Sequence, residues 1–182
     1  DLPALIQGGM GVAVSGWRLA RAVAQAGQMG VVSGTALDAV LSRRLQSGDA
    51  DGAMRRALSR HPWPEMAERV LRRWWRSQKD AGDRPFSPAP MPEIPLSPDQ
   101  TDLLVTAAFC EVSLAREGHD GPIGINLLEK IQLPTLPVLL GGNPVSGELT
   151  WAYPVGTLRV RLDALGAFFL AWSLLAKLKR KP

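Results

Sequence analysis

The sequence predicts an α/β fold with parallel strands, because short apolar runs alternate with amphipathic segments. The first apolar run ends in a cluster of glycines at residues 8–11, and a second run covers residues 28–33. Residues 15–27 lie between these runs and carry one apolar stripe at helical spacing. A third run, residues 122–128, is predicted to be a further strand. Parallel strands need long crossover connections, which are usually helices.

Helices are predicted in two groups. The first is the crossover at residues 15–27, with Ser15 as its N-cap and Gly27 as its stop. Three more helices are predicted in a row at residues 38–46, 51–60 and 64–75. A minimal strand–helix unit contains only one helix, so residues 36–79 are expected to form an insertion, either a lid or an assembly surface.

Residues 80–100 contain six prolines and are predicted to form an extended connector, because proline suits neither a helix nor a central strand. After the connector, residues 103–109 are predicted to form a strand and residues 111–117 a short helix. One continuous helix is the competing interpretation, and the length of the run does not decide between the two.

The net charge of +4 raises the question of nucleic-acid binding, since Trp74 and Trp75 lie among arginines on predicted helices. The favoured interpretation is a solvated helix face whose arginine stems cover apolar surface. No nucleic-acid motif accompanies the charge, so no nucleic-acid partner is predicted. The single cysteine, Cys110, has apolar neighbours and is expected to be buried and unreactive. One cysteine and no secretory signal predict a cytoplasmic location.

Five blocks of sequence occur in a fixed order before residue 138. They are Leu-Ile-Gln-Gly-Gly-Met-Gly (residues 5–11), Gly-Thr-Ala-Leu-Asp (34–38), Arg-Arg-Leu-Gln (43–46), Gly-His-Asp-Gly-Pro-Ile-Gly-Ile-Asn (118–126) and Glu-Lys-Ile-Gln-Leu-Pro-Thr-Leu-Pro (129–137). Together they resemble one subgroup of the nitronate monooxygenase family, the 2-nitropropane dioxygenase-like flavoproteins. The resemblance covers residues 2–137.

The resemblance implies the N-terminal strands and helices of a TIM-type (β/α)8 barrel that binds FMN. A complete barrel needs about 250 residues, so residues 1–137 are expected to be a partial barrel that includes the insertion and the connector. Residues 138–182 do not resemble the family, and they include an apolar segment at 164–176 and a basic end. A frameshift or truncation is the hypothesis for this change. The partial barrel is expected to be oligomeric or poorly soluble and to bind FMN weakly or not at all.

The resemblance implies that Gly9, Met10, Gly11 and Asn126 bind the cofactor. Glycines let backbone amides approach a flat or anionic ligand, and methionine offers a polarizable side chain for a ring. An asparagine amide donates and accepts at once, which matches the mixed polar edge of a flavin. Core filling by Met10 and a turn role for Asn126 remain the alternatives. The glycine loop and Asn126 are expected at the carboxyl edge of one sheet.

No catalytic residue and no metal ligand is assigned. His61 precedes a proline at a helix end and is expected to be a charge on the helix dipole. His119 precedes a strand and is expected at the amino-terminal side of the barrel, which is the wrong face for catalysis. Three carboxylates are expected to be scattered and solvated: Asp99, Asp102 and Glu111.

The function that the resemblance implies is FMN-dependent oxidation of nitronates by dioxygen to a carbonyl compound and nitrite. One alternative is the enoyl reductase component of a polyunsaturated fatty acid or polyketide synthase. Another is a non-catalytic remnant whose tail binds a membrane or a protein. The expected partner is a small-molecule substrate, with a homo-oligomer left open. Membrane contact by the tail is the less favoured option, because the 13 apolar residues at 164–176 fall short of the roughly 20 that span a bilayer.

Overall fold

A computed structural model of the chain describes residues 3–82, 85–91 and 96–126, together with the backbone of two short strands farther along. The elements in these residues are the helices α1 (Trp17–Gln25), α2 (Leu37–Gln46), α3 (Ala53–Leu58), α4 (Pro64–Trp74) and α5 (Pro98–Arg116) and the strands β1 (Gly30–Ser33), β2 (Ile123–Asn126), β3 (Leu149–Thr150) and β4 (Arg159–Val160). The fold is therefore mixed α/β, as the alternation of apolar runs predicts.

The sheet that carries the candidate site consists of parallel segments in chain order. Strands β1 and β2 pair in parallel, with Ser33 opposite Asn126. On the other side of β1, the residue just before it, Met29, pairs with the first segment. Met29 N donates to Leu5 O and Met29 O accepts from Gln7 N, each at 3.0 Å. Three parallel segments thus lie side by side, and their carboxyl ends share one edge. Strands β3 and β4 form a separate antiparallel pair.

The side chain of Gln7 prolongs the pairing of the first segment. Its Nε2 donates to Val31 O at 3.1 Å, and its Oε1 accepts from Val31 N at 3.3 Å. The side-chain amide therefore satisfies the two backbone groups that a longer strand would pair. As a result, the main chain is free to leave the sheet at Gly8.

Two glycines let α1 pack directly on the sheet region. A Cβ on Gly30 would lie 1.9 Å from Ala20 O, and a Cβ on Gly121 would lie 2.2 Å from Ala24 O. Both carbonyls belong to the backbone of α1, which cannot give way as a flexible side chain can. Helix α1 therefore approaches β1 and the start of β2 more closely than it could if residues 30 and 121 carried side chains.

Helix α5 forms the centre of the core. It packs against the four other helices and against β1 and β2, and 13 of its 19 residues are buried. Its start is a capping box, in which Ser97 Oγ accepts from Gln100 N and Gln100 Oε1 accepts from Ser97 N. The predicted strand at residues 103–109 is therefore wrong. A run that is apolar at every position fits a helix buried on all sides as well as it fits a strand.

The three helices predicted in the insertion are present, and the connector is hydrogen-bonded to α2 and to Arg76. Helices α2 and α4 agree with the prediction, and α3 is shorter than predicted. Gln46, at the end of α2, donates from Nε2 to Ser87 O at 3.0 Å and accepts at Oε1 from Ser87 N at 2.7 Å. Arg76 donates to Pro85 O and to Ser87 Oγ. The described part of the proline-rich connector is extended and fixed to the helices through its main chain.

Among the described residues, no helix is both long and apolar enough to cross a membrane. The apolar segment at 164–176 lies outside the described residues, as does the tail at 138–182 apart from β3 and β4.

We expect Gly30→Ala to lower the free energy of unfolding by about 1–3 kcal/mol, because its Cβ would collide with the backbone of α1. Chemical denaturation of the two proteins measures this difference. Gly82→Ala is the control, since nothing lies within 4 Å of its Cβ, and its change is expected to stay within about 0.5 kcal/mol. Equal effects of the two substitutions would contradict the close approach of α1.

Candidate functional site

The residues predicted to bind FMN meet at the carboxyl edge of the sheet. We call residues 8–16 the Gly-Met loop. Asn126, the last residue of β2, donates from Nδ2 to Gly9 O at 2.7 Å, although the two residues are 117 positions apart in the chain. The loop that follows the first segment therefore crosses the end of β1 to reach β2. The structure brings Gly9 and Asn126 together, as the sequence predicts.

Only glycine fits at position 9. A Cβ there would lie 2.6 Å from Asn126 Cβ and 2.9 Å from Val31 Cγ1. Real Cβ atoms do not approach other atoms so closely, so the contact between the loop and β2 depends on the missing side chain. Gly8 differs, because a Cβ there would meet only the Met10 side chain, at an ordinary 3.6 Å.

Two serines fix the shape of the Gly-Met loop. Ser15 Oγ donates to Gly8 O at 2.9 Å and accepts from Met10 N at 3.0 Å. Ser33 Oγ donates to Gly11 O at 2.6 Å, and Ser33 N donates to Ser15 O at 2.8 Å. Ser15 was predicted to cap α1, and this prediction is wrong: the hydroxyl is engaged within the loop, and Gly16 is the N-cap. The backbone of the loop is thus held by side chains rather than by a ladder.

The outer face of the Gly-Met loop is apolar. Met10, Val12 and Val14 are 67%, 53% and 67% exposed, and residues 2–17 contain no charged side chain. Met10 therefore does not fill the core, which was the alternative to a cofactor role. Gly11 and Ala13 both have positive φ, +65° and +57°. This backbone conformation is sterically unfavourable for alanine. Rigid support beneath exposed apolar side chains suits a flat apolar ligand.

The loop and Asn126 carry polar groups that the described residues leave without a partner. Nδ2 of Asn126 is held by Gly9, and no donor in the described part of the chain reaches Oδ1 of Asn126. No acceptor among residues 3–82, 85–91 and 96–126 reaches the N–H groups of Gly9 and Gly11. One acceptor and two donors beside an apolar surface match the mixed donor and acceptor edge of an isoalloxazine.

Glu111 joins the helices to the end of the Gly-Met loop. Its side chain is 4% exposed, its Oε2 accepts from Trp17 N at 2.8 Å, and its Oε1 pairs with Arg44 Nη1. The expectation that Glu111 is solvated is therefore wrong. The signal was present in the sequence, because Glu111 is the one charged residue in residues 103–115. A lone charge within an apolar run is rarely buried unless it is paired.

Three further carboxylates, Asp99, Asp102 and Glu117, are engaged in ion pairs. Asp99 pairs with Arg73, and Asp102 pairs with Arg69. Glu117 accepts hydrogen bonds from Arg56 and Arg60, and the hydrogen bond from Arg56 is the main reason that the pKa of Glu117 lies below its usual value. Many of the arginines on the predicted basic helix faces thus have an acidic partner within the chain. This supports the interpretation of these faces as solvated surface.

Neither histidine is placed as a proton carrier at the loop. His61 is buried against Phe109, with ring centroids 4.7 Å apart, and burial lowers its pKa. The prediction of a charged His61 at a helix end is therefore wrong. His119 Nδ1 accepts from Gly121 N, and Nε2 donates to Ala115 O. His119 precedes β2 and lies at the opposite end from Asn126, as predicted.

Two further expectations concern reactive groups. Cys110 is fully buried, as predicted, and burial raises the pKa of its thiol, so the nucleophilic thiolate is disfavoured. Within the described ranges, no group of three or more His, Cys, Asp or Glu residues is arranged to hold a metal ion.

No protein-family model, curated protein or solved structure matches the chain. Membership of the nitronate monooxygenase family therefore stays a prediction, carried by the sequence blocks and by the geometry of the loop.

We expect the protein to lose stability below about pH 6.5 because of His61. Burial holds the pKa of His61 in the folded chain below 6.5, so the unfolded chain takes up a proton first. The stabilisation is present above about pH 6.5 and is lost as the pH falls toward the lower pKa of the folded state. Urea unfolding at about pH 7.5 and about pH 5.5 measures the loss, which we expect to be smaller in His61→Phe than in the wild type.

An equal loss in the wild type and in His61→Phe would contradict the role of His61.

We expect Gly9→Ala to lower the free energy of unfolding by about 1–3 kcal/mol, because its Cβ would displace Asn126 and Val31. Gly8→Ala is the matched control and is expected to change it by less than about 0.5 kcal/mol. Thermal unfolding measures both, and exchange of the Asn126 side-chain amide protons should accelerate in Gly9→Ala alone. Equal behaviour of the two variants would show that Gly9 does not pack on Asn126.

Proposed function

We propose that this chain provides the FMN-binding N-terminal portion of a nitronate monooxygenase-type oxidoreductase with a (β/α)8 barrel. Neighbouring parallel strands in chain order are typical of such barrels, where each strand is followed by a helix. The order of the segment at residues 5–7, β1 and β2 supports this architecture. So does the contact of both α1 and α5 with β1 and with each other.

The hydrogen bond from Asn126 Nδ2 to Gly9 O carries the proposal. It joins the two sequence blocks that resemble the family at the edge of the sheet where parallel α/β proteins bind ligands. The bond also orients the amide of Asn126, which leaves Oδ1 as an acceptor for a ligand N–H.

The residues of this chain would bind and orient the cofactor. Asn126 Oδ1 would accept a hydrogen bond from the cofactor, the N–H groups of Gly9 and Gly11 would donate to it, and Met10 would offer it an apolar surface. When bound, FMN supplies electron transfer from a nitronate to dioxygen, with a carbonyl compound and nitrite as products. The substrate is a small molecule, and we keep the cytoplasm as the expected location.

An enoyl reductase acting with a fatty acid or polyketide synthase is the second candidate. The observation that favours it is the exposed apolar face of Met10, Val12 and Val14, which suits an acyl chain better than a small nitronate. The two activities use different substrates and co-substrates. Turnover of a nitronate with dioxygen supports the first, and oxidation of NADPH with an enoyl thioester supports the second.

We expect FMN to bind the purified chain weakly but saturably, with quenching of its fluorescence as the measurement. Asn126→Ala should weaken binding by about tenfold, equivalent to about 1.4 kcal/mol, because the ring loses an acceptor and the loop loses its contact with β2. His119→Gln is the control, since His119 lies at the other end of β2, and its binding should equal that of the wild type. Absence of saturable binding, or equal binding by Asn126→Ala, would overturn the proposal.

A further inference from the structure

We propose that Glu111 is a positioning residue that holds the Gly-Met loop in its ligand-binding shape. The inference rests on the proposed function of the loop, but the contacts that carry it are independent of any ligand. Glu111 lies on α5, 94 positions beyond the amide to which it bonds. It touches neither Asn126 nor the predicted cofactor-binding glycines, so it would act through Trp17 and the end of the loop.

The N-terminus of α1 has no cap of its own. Gly16 occupies the N-cap and has no side chain to offer, and the hydroxyl of Ser15 is used inside the loop. The acceptor for Trp17 N comes instead from Glu111 Oε2. The first turn of α1 is therefore fixed by α5, and the position of the loop's last residue depends on that bond.

The carboxylate also packs against the loop itself. A Cβ on Gly16 would lie 3.5 Å from Arg44 Nη2 and 3.7 Å from Glu111 Oε2. The ion pair thus lies next to Gly16, the last residue of the loop. At the other end, the side chain of Gln7, the residue before the loop, bonds to the backbone of Val31. Side-chain contacts therefore hold both ends of the loop.

An ion pair between a buried carboxylate and a partly exposed guanidinium is a costly way to cap a helix. Removing a carboxylate and a guanidinium from water costs free energy that their attraction often fails to recover, whereas a serine or aspartate at the N-cap would serve at little cost. The pair does something that a local cap does not: Arg44 comes from α2, so α1, α2 and α5 are tied together at the end of the loop. This tie fixes the end of the loop, while Ser15 and Ser33 hold its interior.

Two double variants separate positioning from simple stability. Both replace Arg44 by Met, so that no buried charge is left unpaired; one adds Glu111→Gln and the other adds Glu111→Leu. Glutamine keeps an acceptor for Trp17 N, and leucine removes it. Leucine also leaves the buried N–H of Trp17 without an acceptor, which lowers the stability of the whole chain. Exchange in the loop is therefore compared with exchange of the core amides of α5 in the same variant.

Hydrogen exchange of the amides of Met10 and Ser15, which are bonded within the loop, is the main readout. We expect exchange about tenfold faster in the leucine variant than in the glutamine variant, together with an FMN dissociation constant about tenfold higher. Loop exchange that is equal in the two variants, relative to the core amides of each, would overturn the proposal. Slower exchange of the loop amides in the leucine variant would also overturn it.

The wild-type chain provides a test that needs no variant and decides the matter if either double variant fails to fold. The amides of Trp17, Met10 and Ser15 should exchange as one unit with similar protection. Loop amides that exchange far faster than Trp17 would show that the tie does not hold the loop. If the wild type fails to bind FMN, the proposed function fails, while the exchange experiments still test the positioning by Glu111.

Discussion

The buried carboxylate of Glu111 is the constraint on which the described fold depends. It receives a backbone N–H from α1 and pairs with a guanidinium from α2, while its own helix runs through the centre of the core. The first turn of α1 and the end of α2 are therefore both held against α5 by a single charged group. A shift of α2 away from α5 would leave this buried carboxylate unpaired, which would be costly.

In the Gly-Met loop, where the chain leaves regular secondary structure, polar side chains form hydrogen bonds with backbone groups that a strand or helix would otherwise pair. Gln7 replaces a strand residue beside Val31, and Ser15 closes the loop that follows. Asn126 then ties that loop to the far strand. Such bonds satisfy backbone groups that a strand or helix would pair, so an open loop can be rigid without regular secondary structure. Rigid loops on a parallel sheet are the usual carriers of ligand sites.

The sequence predicted the features that depend on local pattern. The glycine loop, the crossover helix and the strand that ends at Asn126 all follow from apolar period and from the positions of glycine. Individual hydrogen-bond partners were not visible in this way, although the meeting of Gly9 with Asn126 was expected from the resemblance. Ser15 is a residue type that often caps a helix, but its hydroxyl bonds to Gly8 and Met10 instead. The core helix α5 was divided in two, because residues 103–109 are apolar except for Thr106 and carry no clear helical periodicity.

The attachment of the connector has a consequence for how its sequence can change. Gln46 contacts the main chain of Ser87 through both its N–H and its carbonyl, and neither bond involves the identity of the side chain at position 87. The path of this segment across α2 is therefore encoded in the helix and not in the segment. Substitutions in the connector that preserve an extended backbone therefore leave the two bonds to Gln46 intact, although replacing Ser87 removes the bond from Arg76 to its hydroxyl.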